Sequence, residues 1–254
     1  MLWYARTHSP SQWPARPPTA EHPTKVPPVQ PVPKPQARAV VEVPATAQPI
    51  APEQVVQAVV AFFGRGNVAS FLQVDELARR FVATVDNLGR ASAPASLWPV
   101  QPARGRFATD KQGGHQPVIA AENAERYRPL VRFAESVNTP QAIDLFVRLY
   151  PLLQREFEQL GYPNAYFNTR LLQVIDLLLA TPEAASPVPV SLTEVRGTVP
   201  SLRPWVRYEY ADPALESLAS GQKILLRVGP DNARRLKAKL VEIRDEIVRR
   251  APGR

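Results

Sequence analysis

Proline divides this chain into two unlike parts. Twelve of the 29 prolines fall within the first 50 of 254 residues, from Pro10 to Pro49, in a stretch that holds no glycine. A proline fixes φ and lacks an amide donor. The pairs Pro17-Pro18 and Pro27-Pro28 and the run Pro31-Val32-Pro33-Lys34-Pro35 therefore favour polyproline II over a helix or a ladder. Such a segment buries too little apolar surface to offset its ordering entropy, so a disordered Pro-rich tail is predicted over 1–50. At about 3.1 Å per residue, some 40 residues of it would reach roughly 120 Å, which makes it a tether.

From Pro52 onward apolar residues recur three and four apart, and 51–250 reads as a single helical domain. A chain of about 200 residues is long enough to bury roughly 70% of its unfolded surface. A first helix is predicted from Pro52 to Phe63, ended by Gly64 and Gly66. The next carries Val74, Leu77, Ala78, Phe81, Val85 and Leu88 on one stripe and stops at Gly89. Residues 90–122 hold four prolines and Gly113-Gly114, which predicts a small hairpin or long loop with Trp98 packed back on the helices. Helices follow over about 123–137, from Thr139 to Leu160 through Pro151, and from Phe167 to Leu178. The alternation Trp205-Val206-Arg207-Tyr208-Glu209-Tyr210 predicts a short strand or extended arm, before helices over 213–226 and 230–250. The fold class is mainly α with a minor β-hairpin or extended arm.

Several strings in this domain are similar to one family. They are Phe81-Val82-Ala83-Thr84-Val85-Asp86-Asn87-Leu88, Leu160-Gly161-Tyr162-Pro163, Tyr208-Glu209-Tyr210-Ala211-Asp212-Pro213-Ala214-Leu215-Glu216 and Gln222-Lys223-Ile224-Leu225-Leu226-Arg227-Val228-Gly229-Pro230-Asp231-Asn232. In this order, over roughly 51–250, they resemble the bacterial domain-of-unknown-function 3014 family. That resemblance implies an N-terminal membrane segment, a Pro/Ala-rich linker and this domain, with no assigned activity. The start Met1-Leu2-Trp3-Tyr4-Ala5-Arg6 reads like the end of a membrane helix, with interfacial aromatics followed by a charge. The expectation is an anchor upstream of it, with the domain at the bacterial inner membrane facing the periplasm, or a soluble protein if no anchor exists.

Most enzyme chemistry lacks its residues here. Cysteine is absent and histidine occurs three times, without an i,i+4 pair or an HExxH string, so no metal or cofactor is expected. No GxSxG elbow or SxxK pair is present, and Gly64-Arg65-Gly66 lacks a third glycine and follows a helix. Asp75, Asp86, Glu209 and Asp212 are the carboxylates to weigh for a hydrolase, but Asp86-Asn87 at a helix end suits backbone or arginine binding, and Asp212-Pro213 is an N-cap signal. No catalytic residue is assigned.

Charge is concentrated at the other end. Residues 223–254 carry ten of the 31 basic side chains and four acids, a net of +6 out of +8. Arg234, Arg235, Lys237 and Lys239 form its basic patch, against which stand Leu236, Leu240, Ile243 and Ile247 on one stripe and the i,i+4 pairs Asp245–Arg249 and Glu246–Arg250. A solvated helix docked on the core is favoured over nucleic-acid binding, since no aromatics interleave the cations. Arg79-Arg80 and Arg126-Tyr127-Arg128 are further basic points. The polar members of the family strings, Asp86, Asn87, Tyr208, Glu209, Asp212, Arg227 and Asn232, are the candidate binding residues. The functional expectation is a non-enzymatic interaction or scaffold domain that meets an envelope protein or polymer. A cytoplasmic polyanion-binding protein is the alternative, and a paired-carboxylate hydrolase the second.

Overall fold

The computed structural model describes residues 48–110, 116–184, 186–193 and 206–250. The Pro-rich tail up to residue 47 lies outside them, as do Gly113-Gly114 and His115. Nine helices and two small antiparallel strand pairs are present among the described residues. The helices are α1 Val55–Phe63, α2 Arg65–Phe71, α3 Leu77–Leu88, α4 Glu122–Ser136, α5 Thr139–Gln159, α6 Phe167–Leu179, α7 Pro213–Glu216, α8 Ser220–Arg227 and α9 Pro230–Arg249.

The central layer is built on α5. Asn138 caps it by accepting the Gln141 amide at 3.0 Å. Ile143, Phe146, Tyr150, Leu153 and Phe157 then recur at spacings of three and four and are all buried. Pro151 sits on the exposed side of this helix. Helices α3, α6 and α9 pack against α5, and α1 crosses α3 and α5. Val82, Phe157 and Phe167 are completely excluded from solvent. Each such side chain contributes about 1.5–3 kcal/mol relative to exposure.

The strands extend this bundle at one end. β1 (Thr109–Asp110) pairs with β2 (Val118–Ile119), and β3 (Val190–Leu192) pairs with β4 (Tyr208–Tyr210) in the register Val190↔Tyr210. The Ile119 amide donates to Val188 O at 2.9 Å and the Val190 amide to Pro117 O at 2.8 Å, so the two ribbons are stitched together. The period-two pattern of the second ribbon follows its burial: Tyr210 is buried and Glu209 exposed.

Three expectations need correcting. Gly66 does not end a helix: only Gly64, at φ +81°, breaks the chain, and Gly66 lies within α2. Val74 precedes its helix, because Glu76 adopts a left-handed conformation at φ 50° and α3 starts one residue later. The segment after Asp212 is two helices, because the N-cap of Asp212 supports only one short turn before Ala219 starts α8.

Candidate functional site

The predicted site residues fall into two groups at opposite ends of α8, an eight-residue helix about 12 Å long. At its start lies Asp86, near the C-terminus of α3. This carboxylate is only 3% exposed. Arg170 of α6, equally buried, donates from Nε to Oδ1 at 2.9 Å and from a terminal nitrogen to the Asp86 carbonyl at 2.9 Å. Arg90 approaches Oδ2 at 2.6 Å, and the Tyr162 hydroxyl lies 3.3 Å from both oxygens. Arg90 also donates to the Tyr162 hydroxyl. Burial pulls the Arg90 guanidinium down, but the Asp86 charge and the Tyr162 contacts outweigh it, and the group ends above its ordinary value. Asp86 is thus an acceptor held by two guanidinium groups and a phenol, so its buried oxygens do not lack partners.

Asn87 takes part through its backbone. Its carbonyl accepts the Ser220 hydroxyl at 2.8 Å, while the Ser220 amide donates to Arg90 O at 2.7 Å. Gly221 follows because a Cβ there would stand 2.6 Å from Leu178 Cδ2 and 2.9 Å from Leu88 O. The start of α8 therefore closes on the end of α3 at backbone distance.

At the other end of α8, Arg227 donates to Tyr208 O at 2.6 Å and lies over the rings of Tyr210, at 5.4 Å, and Phe107, at 5.8 Å. Its Nε is buried without an acceptor among the described residues. Burial raises the Tyr210 phenol well above its ordinary range, and its hydroxyl donates to Lys223 O at 2.7 Å. Glu216 accepts the Tyr210 amide at 2.9 Å and pairs with Lys223 at 2.7 Å. Asp212 caps α7 by accepting the Ala214 amide at 2.8 Å. Asn232 is buried and donates to Ala124 O and Val228 O. Glu209 is exposed on β4, so Asp86 and Glu209 do not form the converging carboxylate pair that a hydrolase reading needs.

Around Arg227 opens a cleft of ≈ 320 Å³ between α4, the strands and α8. Phe107, Tyr127, Tyr208 and the 65% exposed Val206 supply its apolar surface. Arg106, Arg126 and Arg227 supply three guanidinium groups, and among the described residues no carboxylate lines it. Arg126 is fixed there by donating to Arg104 O, Gly105 O and Asn123 Oδ1. Sequence reading singled out Arg126-Tyr127-Arg128, Tyr208 and Arg227 separately, and the fold brings Arg126, Tyr127, Tyr208 and Arg227 together.

The basic patch is largely used within the molecule. Arg234 pairs with Asp231 and Arg235 with Glu135 of α4. Lys237 donates to Thr181 O at 2.6 Å, and Lys239 to Val137 O, Thr139 Oγ1 and Glu242. The Lys239 hydrogen bond and that from Thr139 hold the Glu242 carboxyl below the usual carboxylate range. Glu246 pairs with both Arg249 and Arg250, whereas Asp245 lies 3.8 Å from Arg244 instead of meeting Arg249.

The family model described as "Protein of unknown function (DUF3014)" matches residues 77–244. The chain belongs to this family. The match runs from the first residue of α3 into α9 and so contains the Asp86 cluster and the whole Arg227 cleft, while α1 and α2 precede it. No curated protein and no solved structure matches the chain. Among the described residues no helix is long and apolar enough to cross a membrane.

Proposed function

We propose that this DUF3014 domain is a non-enzymatic interaction module that takes an acidic segment of a partner protein in the Arg227 cleft. The cleft's composition carries the reading: among the described residues, three guanidinium groups and three aromatic rings converge on one opening without a carboxylate. Arginine and tyrosine dominate binding hot spots because they combine large apolar contact with directional donors. The Pro-rich segment before the domain would set the reach and the effective concentration of such an encounter. We propose the bacterial envelope as its location on the strength of the family architecture, and cell fractionation with an alkaline membrane wash tests that separately.

The test of the cleft is a titration with a peptide rich in Asp, Glu and Tyr, followed by amide chemical shifts. Saturable shifts at Phe107, Tyr127, Tyr208 and Arg227, lost in Arg227→Ala and weakened by salt, are expected. Equal response to a lysine-rich peptide would overturn the reading.

Polyanion binding is the second reading, favoured by one observation. Arg128, Arg132, Arg234 and Arg235 surround a hollow of ≈ 410 Å³ between α4 and α9, with Asp231 as its one carboxylate. Steeply salt-dependent binding of a DNA duplex, abolished by charge reversal at Arg234 and Arg235, would support it.

A further inference from the structure

The stripes that the sequence dedicates to a core do not fill the space between them. A cavity of ≈ 470 Å³, partly open to the surface, lies among the helices, and every side chain lining it is Ala, Val, Leu, Ile, Phe or Pro. Its wall extends from Val55 and Val59 of α1, past Ala78 of α3 and Leu149 of α5, to Ile243 and Ile247 of α9. Helix α1 packs on α3 and α5, and α9 on α5 and α6, so the lining residues come from all five of these helices.

Protein interiors are packed as densely as organic crystals, and voids larger than a water molecule are few. Water is a poor occupant, because it needs polar partners that this wall lacks. A charged or hydrogen-bonding molecule would be stranded there for the same reason. The volume lies in the range of ligand pockets, which occur between the helices of bundles.

From its volume and its wholly apolar wall, we infer that this cavity is a binding site for one long-chain acyl group. The chain lies between α1 and α9, and the polar end stays at the surface. This site is independent of the Arg227 cleft, with which it shares no lining residue.

The experiment is calorimetric titration of the full chain with sodium hexanoate and sodium dodecanoate, both below their micellar concentrations. Each buried methylene adds favourable transfer free energy, so dodecanoate should bind about a hundredfold tighter or more. A lysophosphatidylcholine of the same acyl length forms the second arm: binding there as well marks a phospholipid as the source, and binding of dodecanoate alone marks a free fatty acid. Ala142→Leu and Ala78→Met, at two different places on the wall, insert side chains into the space. Both should weaken dodecanoate binding at least tenfold, with the ligand-free melting temperature unchanged or higher. Absence of saturable dodecanoate binding, or equal affinity for the two chain lengths, would overturn the site. So would unchanged dodecanoate affinity combined with a lower melting temperature in both variants, since that is the response of a core already full.

Discussion

Replacing Asp86 by Asn tests the buried ion cluster most sharply. The substitution conserves shape and removes one charge. Arg170 then remains about 5% exposed with no carboxylate, while Arg90, half exposed, can turn to water. Removing one partner of a buried pair costs about 3–5 kcal/mol, because the remaining charge stays desolvated. For a domain of this size each kcal/mol lowers the melting temperature by about 2–4 °C, so a fall of roughly 6–20 °C is predicted. Urea denaturation followed by circular dichroism gives the free energy directly, with the slope reporting whether the native state stays compact. The double variant Asp86→Leu/Arg170→Met removes both charges and should lose less than the sum of the two single changes, by 1 kcal/mol or more. A change within about 0.5 kcal/mol for Asp86→Asn, the range of an ordinary surface substitution, would refute the argument.

Three further outcomes follow from particular contacts. Gly221→Ala gains about 1 kcal/mol of helix propensity but drives a Cβ to 2.6 Å from Leu178 and 2.9 Å from the Leu88 carbonyl, so a net loss of about 1–2 kcal/mol is expected in urea. Burial pushes the Tyr150 hydroxyl up from 10.0 to about 12. Its contribution is complete below pH 10 and is lost as pH rises to about 12, because the unfolded chain releases the proton first. Stability should fall there by up to about 1.4 kcal/mol per pH unit, and less steeply in Tyr150→Phe. Asp212→Ala removes the cap on the Ala214 amide and should cost about 1 kcal/mol by thermal melting while leaving peptide binding in the cleft intact.

The helices were legible because their signals are local. The α5 start at Thr139, its stripe from Ile143 to Phe157 and its end at Leu160-Gly161, where φ is +101°, all appear in the sequence, whereas the Asn138 cap one residue earlier emerged only from the structure. Gly66 misled because a glycine two residues after a break is tolerated inside the next helix when tertiary packing holds it, as Val68 does here. Asp86 stood out in the sequence, and Arg90 was within reach as its i+4 neighbour on the same helix end. Arg170 was not, because it arrives from α6, 84 residues later, and no local pattern encodes that contact. The Arg227 cleft shows the same limit: Phe107, Tyr127, Tyr208 and Arg227 come from four separate segments. The cavity was illegible for the opposite reason. Apolar periodicity marks which faces turn inward, but not whether their volumes add up to fill the space between them.

The most direct test of the interaction reading is photo-cross-linking in the source cells, with a photoreactive residue at Tyr127 on the cleft and, as control, at the exposed Arg79 on α3. A discrete adduct from position 127 that disappears in an Arg227→Ala background and is absent from position 79 is predicted. Identical adducts from both positions, or none from position 127, would contradict it.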